Sequence, residues 1–153
     1  MNPDQKLAEL FIDLPEPALP PTGVVHVARS GKMLIVGEAL PISDGRLMAK
    51  GRVGLEVRLD VARQAARAAT IQALAMLAKE CGGTLTNIKH VVQLDAMLAA
   101  SHDFRDHAKV LDGASELLIQ LFGTQGHHTR RAVGVMSLSQ DACVSISLMV
   151  ETK

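Results

Sequence analysis

The sequence predicts an α+β fold in which a mixed sheet is covered on one face by two helices. Short segments near both ends of the chain alternate apolar and polar residues, which is typical of half-buried strands. Two longer stretches carry apolar residues at helical spacing, and each of them ends at glycine. A strand-like segment separates these two stretches, so the helices are expected to be interleaved with strands.

Length and composition limit the classes of partner. The chain has 153 residues, enough for one domain that buries roughly 70% of its unfolded surface. Sixteen Lys and Arg balance sixteen Asp and Glu, so no basic excess favours nucleic acid or an anionic membrane. There is no Trp or Tyr and there are only three Phe, which removes the stacking platforms of single-strand binders. We expect neither a nucleic acid nor a membrane as partner.

Residues 1–22 are predicted to form a short helix and a proline-rich arm that precede a single domain over residues 23–153. Leu7, Leu10 and Phe11 have helical spacing within residues 3–12, and Asn2 or Asp4 is a suitable cap. Four of the six prolines follow in LPEPALPPTG, where they fix φ and remove backbone donors. The arm is therefore expected to be extended.

The N-terminal composition and the two cysteines predict a cytoplasmic protein. Early acidic residues and prolines stand where a signal peptide has a basic start and an apolar core. No apolar run is close to the length of about 20 residues that a helix needs to span a bilayer. Cys81 and Cys143 are too few for a disulfide framework and are interpreted as reduced thiols.

Two strands are predicted at the start of the domain, over residues 24–29 and 33–36, joined by a tight turn at Ser30-Gly31-Lys32. Further along, Leu55, Val57 and Leu59 alternate with charged residues, which predicts a half-buried strand or an extended segment.

Residues 61–81 form the strongest predicted helix. They are rich in alanine, Asp60 is the expected N-cap, and Gly82-Gly83 supplies a C-terminal stop. The small alanine side chains are expected to let this helix approach a sheet closely. Residues 88–98 are apolar and partly alternating, which predicts a strand.

A second helix is predicted between its expected N-cap, Asp103, and Gly123. Its apolar face is expected to comprise Phe104, Ala108, Leu111, Leu118 and Phe122. Two strands, paired as a hairpin, are predicted to close the chain. In the last strand, one face is expected to carry Val144, Ile146, Leu148 and Val150, and the other Cys143, Ser145, Ser147 and Met149.

One face of this predicted four-stranded sheet has no helix to cover it. Its side chains would include Met, Ala, Cys and Val, which make a larger apolar patch than a monomer usually exposes. We therefore expect the protein to self-associate through this face.

Motif searches favour no metal and no cofactor. GxxxxGK[ST], GxGxxG and GxSxG are all absent. His102 and His107 are five residues apart, off the spacing of a helical zinc site, and the adjacent His127 and His128 would point in opposite directions on a strand.

Residues 127–135, HHTRRAVGV, place two arginines and two histidines in an otherwise apolar strand. Gly134 marks a position where a ligand or another backbone can come close. A guanidinium offers two parallel donors that match a carboxylate. The residue pattern alone leaves open whether these charges bind a carboxylate or belong to a surface turn.

Several separated motifs carry a family resemblance. Residues 123–138, GTQGHHTRRAVGVMSL, are similar to a signature in which a small-x-Arg-[Ser/Thr]-Ala-Val-Gly-Val run precedes the final strand. Residues 60–83 resemble the first helix of the same family, and residues 88–98 resemble its central strand. Residues 112–118, DGASELL, resemble a subgroup with Asp-Gly-Ala-Ser-Asp-Leu-Leu. Over residues 20–152 the chain thus resembles the reactive intermediate deaminase family (Rid or YjgF-type), also described as endoribonuclease L-PSP.

The resemblance implies a chorismate-mutase-like protomer that assembles as a homotrimer with small-molecule pockets between subunits. In active members an arginine holds the substrate carboxylate, and a glutamate on the last strand orients the water that hydrolyses a 2-imino acid to a 2-oxo acid and ammonia. Arg130 matches that arginine. The candidate ligand-binding set is completed by Val36, Gly37, Asp112 and Ser145.

The chain departs from the family at the catalytic positions. The family's Val-Glu-Ile-Glu strand is Val-Ser-Ile-Ser at residues 144–147, and a serine neither carries the charge of a carboxylate nor acts as its base. The family's Ser-Gly-Gln turn is Val36-Gly37-Glu38 here, and its Gly-Pro-Tyr segment is absent. The catalytic residues are therefore unassigned, with Glu38 and Ser145 as candidates.

Three functional hypotheses follow. The favoured one is a trimer that binds a small carboxylate metabolite at Arg130 with weak or no catalysis. The alternative is a 2-imino acid or enamine deaminase in which Glu38 or a histidine supplies the missing acid–base group. Endoribonuclease activity is the remote third, because the chain has neither basic excess nor stacking aromatics. Ammonia release from freshly generated 2-iminobutyrate separates the first two.

Overall fold

The computed structural model describes residues 1–153, with a sheet of five strands as its largest element. The helices and strands in chain order are α1 (Pro3–Glu9), β1 (Val27–Ser30), β2 (Met33–Ala39), β3 (Ile42–Ser43), β4 (Arg46–Leu47), α2 (Leu59–Glu80), β5 (Ile88–Ala99), α3 (His107–Phe122), β6 (Thr129–Val135) and β7 (Val144–Thr152). Strands β3 and β4 form a separate small hairpin. The α+β class and the first predicted hairpin are confirmed, although β1 begins at Val27 and not at Val24.

The main sheet has the strand order β1-β2-β7-β5-β6 and is mixed, because β5 and β6 are parallel and all other neighbours are antiparallel. The predicted C-terminal hairpin is wrong, since β5 lies between β6 and β7. Helix α3 carries the chain from the end of β5 back to its start, and β6 therefore joins the sheet as a parallel edge strand. The main sheet therefore has five strands, whereas a four-stranded sheet was expected.

The core lies between the sheet and the two long helices. The alternation predicted for β7 is confirmed, because Val144, Ile146, Leu148 and Val150 are all buried in this core. Five alanines on α2 are fully buried: Ala62, Ala65, Ala66, Ala69 and Ala73. Gly113 permits a close approach of α3 to α2. A Cβ at Gly113 would lie 2.2 Å from the carbonyl oxygen of Arg63.

Helix α2 confirms the predicted element but begins slightly earlier. Arg58 is the N-cap and makes no side-chain cap hydrogen bond, whereas Asp60 lies in the first turn. A carboxylate there still interacts favourably with the helix dipole. The predicted extended segment at Leu55, Val57 and Leu59 is wrong. Leu55 is exposed in a turn that follows Gly54 at φ +92°, and Leu59 already belongs to the helix.

Helix α3 begins at His107 and not after Asp103, which is a second correction. Residues 101–104 form a turn in which the Phe104 N–H donates to the carbonyl oxygen of Ser101 at 3.1 Å. Because of this turn, α3 begins later than predicted and buries a different set of side chains. Ala108 is therefore exposed. The buried apolar residues are Val110, Leu111, Ala114, Leu117, Leu118 and Leu121. Gly123 ends the helix, as predicted.

Helix α1 packs on the rest of the chain. Asn2 caps it through a capping box with Gln5, and Leu7 is buried in the core. The Asp4 carboxylate accepts the backbone N–H of Leu85 at 3.0 Å. No helix combines the length and the apolar character that crossing a bilayer requires.

Candidate functional site

The candidate residues fall into two clusters on opposite faces of the sheet. The helix-side cluster consists of Asp112, Ser115, His128 and Arg130. The open-face cluster, on the face that no helix covers, consists of Gly37, Glu38, Asp95, Arg131, Ser145 and Ser147. The side chain of Val36 is fully buried in the core, but its carbonyl oxygen accepts the Ser147 hydroxyl of the open-face cluster at 2.8 Å.

Arg130 lies on the helix side of the edge strand β6. It stands beside Leu94 in the parallel register, and Leu94 is fully buried in the core under the helices. The Nη1 of Arg130 donates to Asp112 Oδ1 at 2.9 Å and to Ser115 Oγ at 3.1 Å. Its Nε and Nη2 make no hydrogen bond within the chain, and the side chain is 31% exposed. The guanidinium is thus held from one side and has free donors on the other.

His128 extends this arrangement by one more hydrogen bond. Its Nδ1 lies 2.6 Å from the carbonyl oxygen of Gly126, which can only accept, so Nδ1 carries a proton. In the neutral ring Nε2 is then an acceptor for the Ser115 hydroxyl, 2.9 Å away. The Ser115 oxygen, whose hydroxyl proton is donated to His128, accepts the hydrogen bond from Arg130. His128 and Ser115 therefore orient the guanidinium.

Sequence reasoning missed Ser115 and gave His128 no role, although simple spacing relates both to predicted residues. Ser115 is three residues after Asp112, so the two share a helix face. His128 is two residues before Arg130, so the two share a face of an extended segment.

Glu38 and Ser145 meet on the open face. The Ser145 hydroxyl donates to Glu38 Oε2 at 2.9 Å. The register of β2 against β7 shifts between Val36 and Ala39, where β2 contains one extra residue. This bulge breaks the alternation, so that Gly37 and Glu38 are both exposed between two buried residues. A carboxylate consequently stands beside Ser145.

A row of polar side chains crosses the open face next to this pair. Ser147, Asp95 and Arg131 are neighbours in the register of β7, β5 and β6. Asp95 Oδ2 accepts from Gln93 at 2.8 Å, whereas Asp95 Oδ1 is buried and receives no hydrogen bond. Arg131 Nε is 3.6 Å from that oxygen, and the Arg131 side chain is 76% exposed.

The open-face cluster lines a depression of about 160 Å³ together with Ala96, Met97 and Val133. Its charged groups are two carboxylates, of Glu38 and Asp95, and one guanidinium, of Arg131. Such a lining has acceptors for an N–H or ammonium group and one donor fork for a carboxylate.

The sheet separates the two clusters. The structure brings Arg130 together with Asp112, and Glu38 together with Ser145 and Gly37, but the arginine and the serine lie on opposite faces. A small molecule bound to Arg130 therefore cannot contact Ser145 of the same chain. A site that uses both residues needs two chains.

No three His, Cys, Asp or Glu side chains lie close enough together to hold a metal ion. His127 and His128 are engaged separately. The carbonyl oxygen of His127 is 3.1 Å from His90 Nε2, and the His128 ring contacts Ser115 and Gly126.

Comparisons with known proteins agree on one family. Residues 5–151 match the family model described as "YjgF/chorismate mutase-like, putative endoribonuclease". The chain is 34% identical to Protein TCP17 of Trypanosoma cruzi over 146 residues, which span 95% of this chain and 91% of that protein.

Two crystal structures are similar over nearly the whole chain. Atu1372 of Agrobacterium tumefaciens, described as of unknown function, has a TM-score of 0.92 and 32% identity, covering 99% of this chain and 92% of that one. A protein of Shewanella oneidensis described as a "putative endoribonuclease" has a TM-score of 0.94 and 28% identity, covering 99% of both chains.

Proposed function

The chain belongs to the YjgF/chorismate-mutase-like family, and on that premise we propose that it is a homotrimer that binds a small carboxylate metabolite between subunits, with weak or absent catalysis. One observation carries this proposal. Arg130 and Ser145 lie on opposite faces of one sheet, so a site containing both takes the arginine from one subunit and the open face from its neighbour.

Arg130 is the proposed carboxylate anchor. Its free Nε and Nη2 can form the two parallel hydrogen bonds that a carboxylate accepts. Asp112 and Ser115 hold its other donor, so little side-chain freedom remains to be lost on binding. The Asp112 carboxylate also offsets part of the positive charge of Arg130, which stabilises this side chain when no ligand is bound.

The open face supports association. Met97 is 50% exposed and Val133 is 43% exposed, and both line the depression beside Ser145. No helix packs on these side chains, and burying them against a second chain removes apolar surface from water. The polar open-face cluster would then lie within or at the rim of the contact.

A measurement of the molecular mass and a subunit-mixing experiment together test the proposal. Light scattering at micromolar concentration should give three times the chain mass. Arg130→Ala and Ser145→Arg should each lose binding of 2-oxobutyrate, measured by calorimetry. Refolding the two variants as a mixture should restore a fraction of the sites, because some interfaces then pair two intact halves. A monomeric mass, or no recovery in a mixture shown to contain mixed trimers, would contradict the shared site.

A second function is favoured by the Ser145–Glu38 hydrogen bond. Glu38 could take a proton from water as the water oxygen adds to the C=N carbon of a 2-imino acid, and pass that proton to the nitrogen. Transfer of the remaining hydroxyl proton to the nitrogen then breaks the C–N bond, which releases ammonia and leaves a 2-oxo acid. Ammonia release from freshly generated 2-iminobutyrate, abolished by Glu38→Gln and retained by Glu9→Gln, would establish this deaminase reaction. No ammonia above the uncatalysed rate would leave binding alone.

We also propose a cytoplasmic location, where both thiols stay reduced. Cys81 and Cys143 are unpaired in the structure. Burial raises the pKa of the Cys143 thiol to about 11, so this group is neutral and unreactive near pH 7. The endoribonuclease description of the family gains no support from the charge balance or from the three phenylalanines.

A further inference from the structure

Four basic side chains gather at the edge of the sheet where β5 and β6 end. Because these strands are parallel, their carboxyl ends meet at one edge, next to the start of α3. The pocket there has a volume of about 520 Å³. The basic pocket, as we call it, is lined by Arg52, His102, Arg105 and His107 and by the apolar groups of Phe104 and Met136.

Neither arginine of the basic pocket has an ion-pair partner within 4.0 Å, and backbone carbonyls fix both side chains instead. Arg52 Nε donates to the carbonyl oxygen of Met136 at 3.0 Å. Arg105 Nη1 donates to the carbonyl oxygens of His102 and Phe104 at 2.8 and 2.9 Å. The other guanidinium N–H groups of both arginines have no partner in the chain, so they remain available to a ligand.

Three carboxylates lie near the basic pocket. Glu56 Oε1 accepts the backbone N–H of Arg52 at 3.2 Å. Asp103 is fully exposed, and a hydrogen bond from Ser101, with smaller contributions from the charges of His102 and Arg105, lowers its pKa. Asp106 lies 3.6 Å from Lys109 Nζ. Asp106 is also the N-cap of α3, so its carboxylate offsets the positive end of the helix dipole.

Gly134 shapes the floor of the basic pocket. A Cβ at this position would lie 3.0 Å from His107 Nε2, so the glycine lets the imidazole ring lie against β6. The ring packs edge-on against Phe104 with centroids 5.2 Å apart, and neither of its nitrogens has a hydrogen-bond partner. The close approach expected at Gly134 is thus made by His107, whose polar edge is left unpaired.

We propose that the basic pocket is a second binding site, which takes the oxyanion of a small metabolite, a phosphate or carboxylate attached to an apolar body. Two arginine forks suit the oxyanion, while Phe104 and Met136 suit the apolar part. The site is separate from Arg130, because Gly134 is four residues further along β6, a distance of about 13 Å at the usual strand rise.

Chemical-shift titrations with inorganic phosphate, phenyl phosphate and benzoate test this site. Arg105→Gln removes an exposed guanidinium whose only hydrogen bonds within the chain are to the adjoining turn. It should weaken phenyl phosphate binding about tenfold, the scale of one lost charged hydrogen bond. Arg52→Gln should do the same. Gly134→Ala should weaken binding several-fold without any change in charge, because His107 must move.

A control variant tests whether binding is specific to the basic pocket. Arg46→Gln removes an exposed arginine on β4, outside the pocket, and should leave binding unchanged. Tighter binding of phenyl phosphate than of benzoate would identify a phosphate monoester, and the reverse would identify a carboxylate. Equal binding by wild type, Arg105→Gln and Gly134→Ala would overturn the proposal, and so would an equal loss in Arg46→Gln, which would indicate only non-specific charge attraction.

Discussion

The helix-side and open-face clusters each contain an arginine beside an aspartate, yet they hold these charges differently. Arg130 donates to Asp112 at 2.9 Å and is further fixed by Ser115. Arg131 is 3.6 Å from Asp95, beyond hydrogen-bond distance, and its side chain is largely exposed. The first arginine is oriented before any ligand binds, whereas the second remains free to move.

The difference follows from what lies opposite each cluster. Helix α3 supplies Asp112 and Ser115 to the helix side of β6, so every chain carries its own partners for Arg130. No helix packs on the open face, and Asp95 Oδ1 is left without a hydrogen bond. Because a buried acceptor without a donor costs about 1–3 kcal/mol, the open face is the incomplete half that a ligand or a second chain would satisfy.

The largest effect is expected from restoring a carboxylate at Ser145. Loss of a general acid–base group costs about 10²–10⁴-fold in rate, so Ser145→Glu should raise ammonia release from 2-iminobutyrate by up to that range. The new carboxylate would face Glu38, and like charges oppose each other there. Ser145→Glu with Glu38→Gln removes this repulsion and should be the more active variant. A folded trimer of either variant without activity would show that the pocket differs from that of active relatives beyond this residue.

Replacing Arg130 should have the next largest effect. Arg130→Ala should weaken 2-oxobutyrate binding by about 1.5–3 kcal/mol, because a charged hydrogen-bond pair is lost. Arg130→Lys should also bind more weakly, since an ammonium cannot reproduce the fork. Calorimetry measures both, and unchanged affinity in the two variants would transfer the anchor to Arg131.

A charge introduced on the open face should lower the molecular mass in solution threefold, from that of a trimer to that of one chain. Met97 lies beside Ser145 in the register of β5 and β7, so Met97→Lys would place an ammonium within the proposed contact. Light scattering should then give the mass of one chain, while circular dichroism stays unchanged. Leu55→Lys, on an exposed turn outside the sheet, is the matched control and should remain trimeric. A trimeric Met97→Lys would place the interface elsewhere.

The smallest effect is expected at Arg131. Exposed ion pairs contribute about 0–1 kcal/mol, so Arg131→Ala should lower the free energy of unfolding by less than about 1 kcal/mol. It should also change 2-oxobutyrate affinity less than Arg130→Ala does. Urea unfolding and calorimetry provide these values. A larger affinity loss in Arg131→Ala than in Arg130→Ala would reverse the comparison between the two clusters.

Local patterns predicted several elements well. Helix α2 depends on alanine content and a double-glycine stop, both of which act within a few residues. The two faces of β7 follow from simple alternation. The prediction for residues 55–59 failed because alternation over five residues does not separate a strand from a turn that leads into a helix.

By itself, the sequence determined the fold class, the family and the chemical types at the candidate site, because these depend on side-chain composition and on motifs in chain order. Only the tertiary structure decided which of these residues meet. The bulge after Val36 brings Glu38 to Ser145, and the parallel pairing of β6 with β5 turns Arg130 toward α3. Strand register and strand order arise from contacts between distant segments, and a one-residue shift in register moves a side chain to the other face of the sheet.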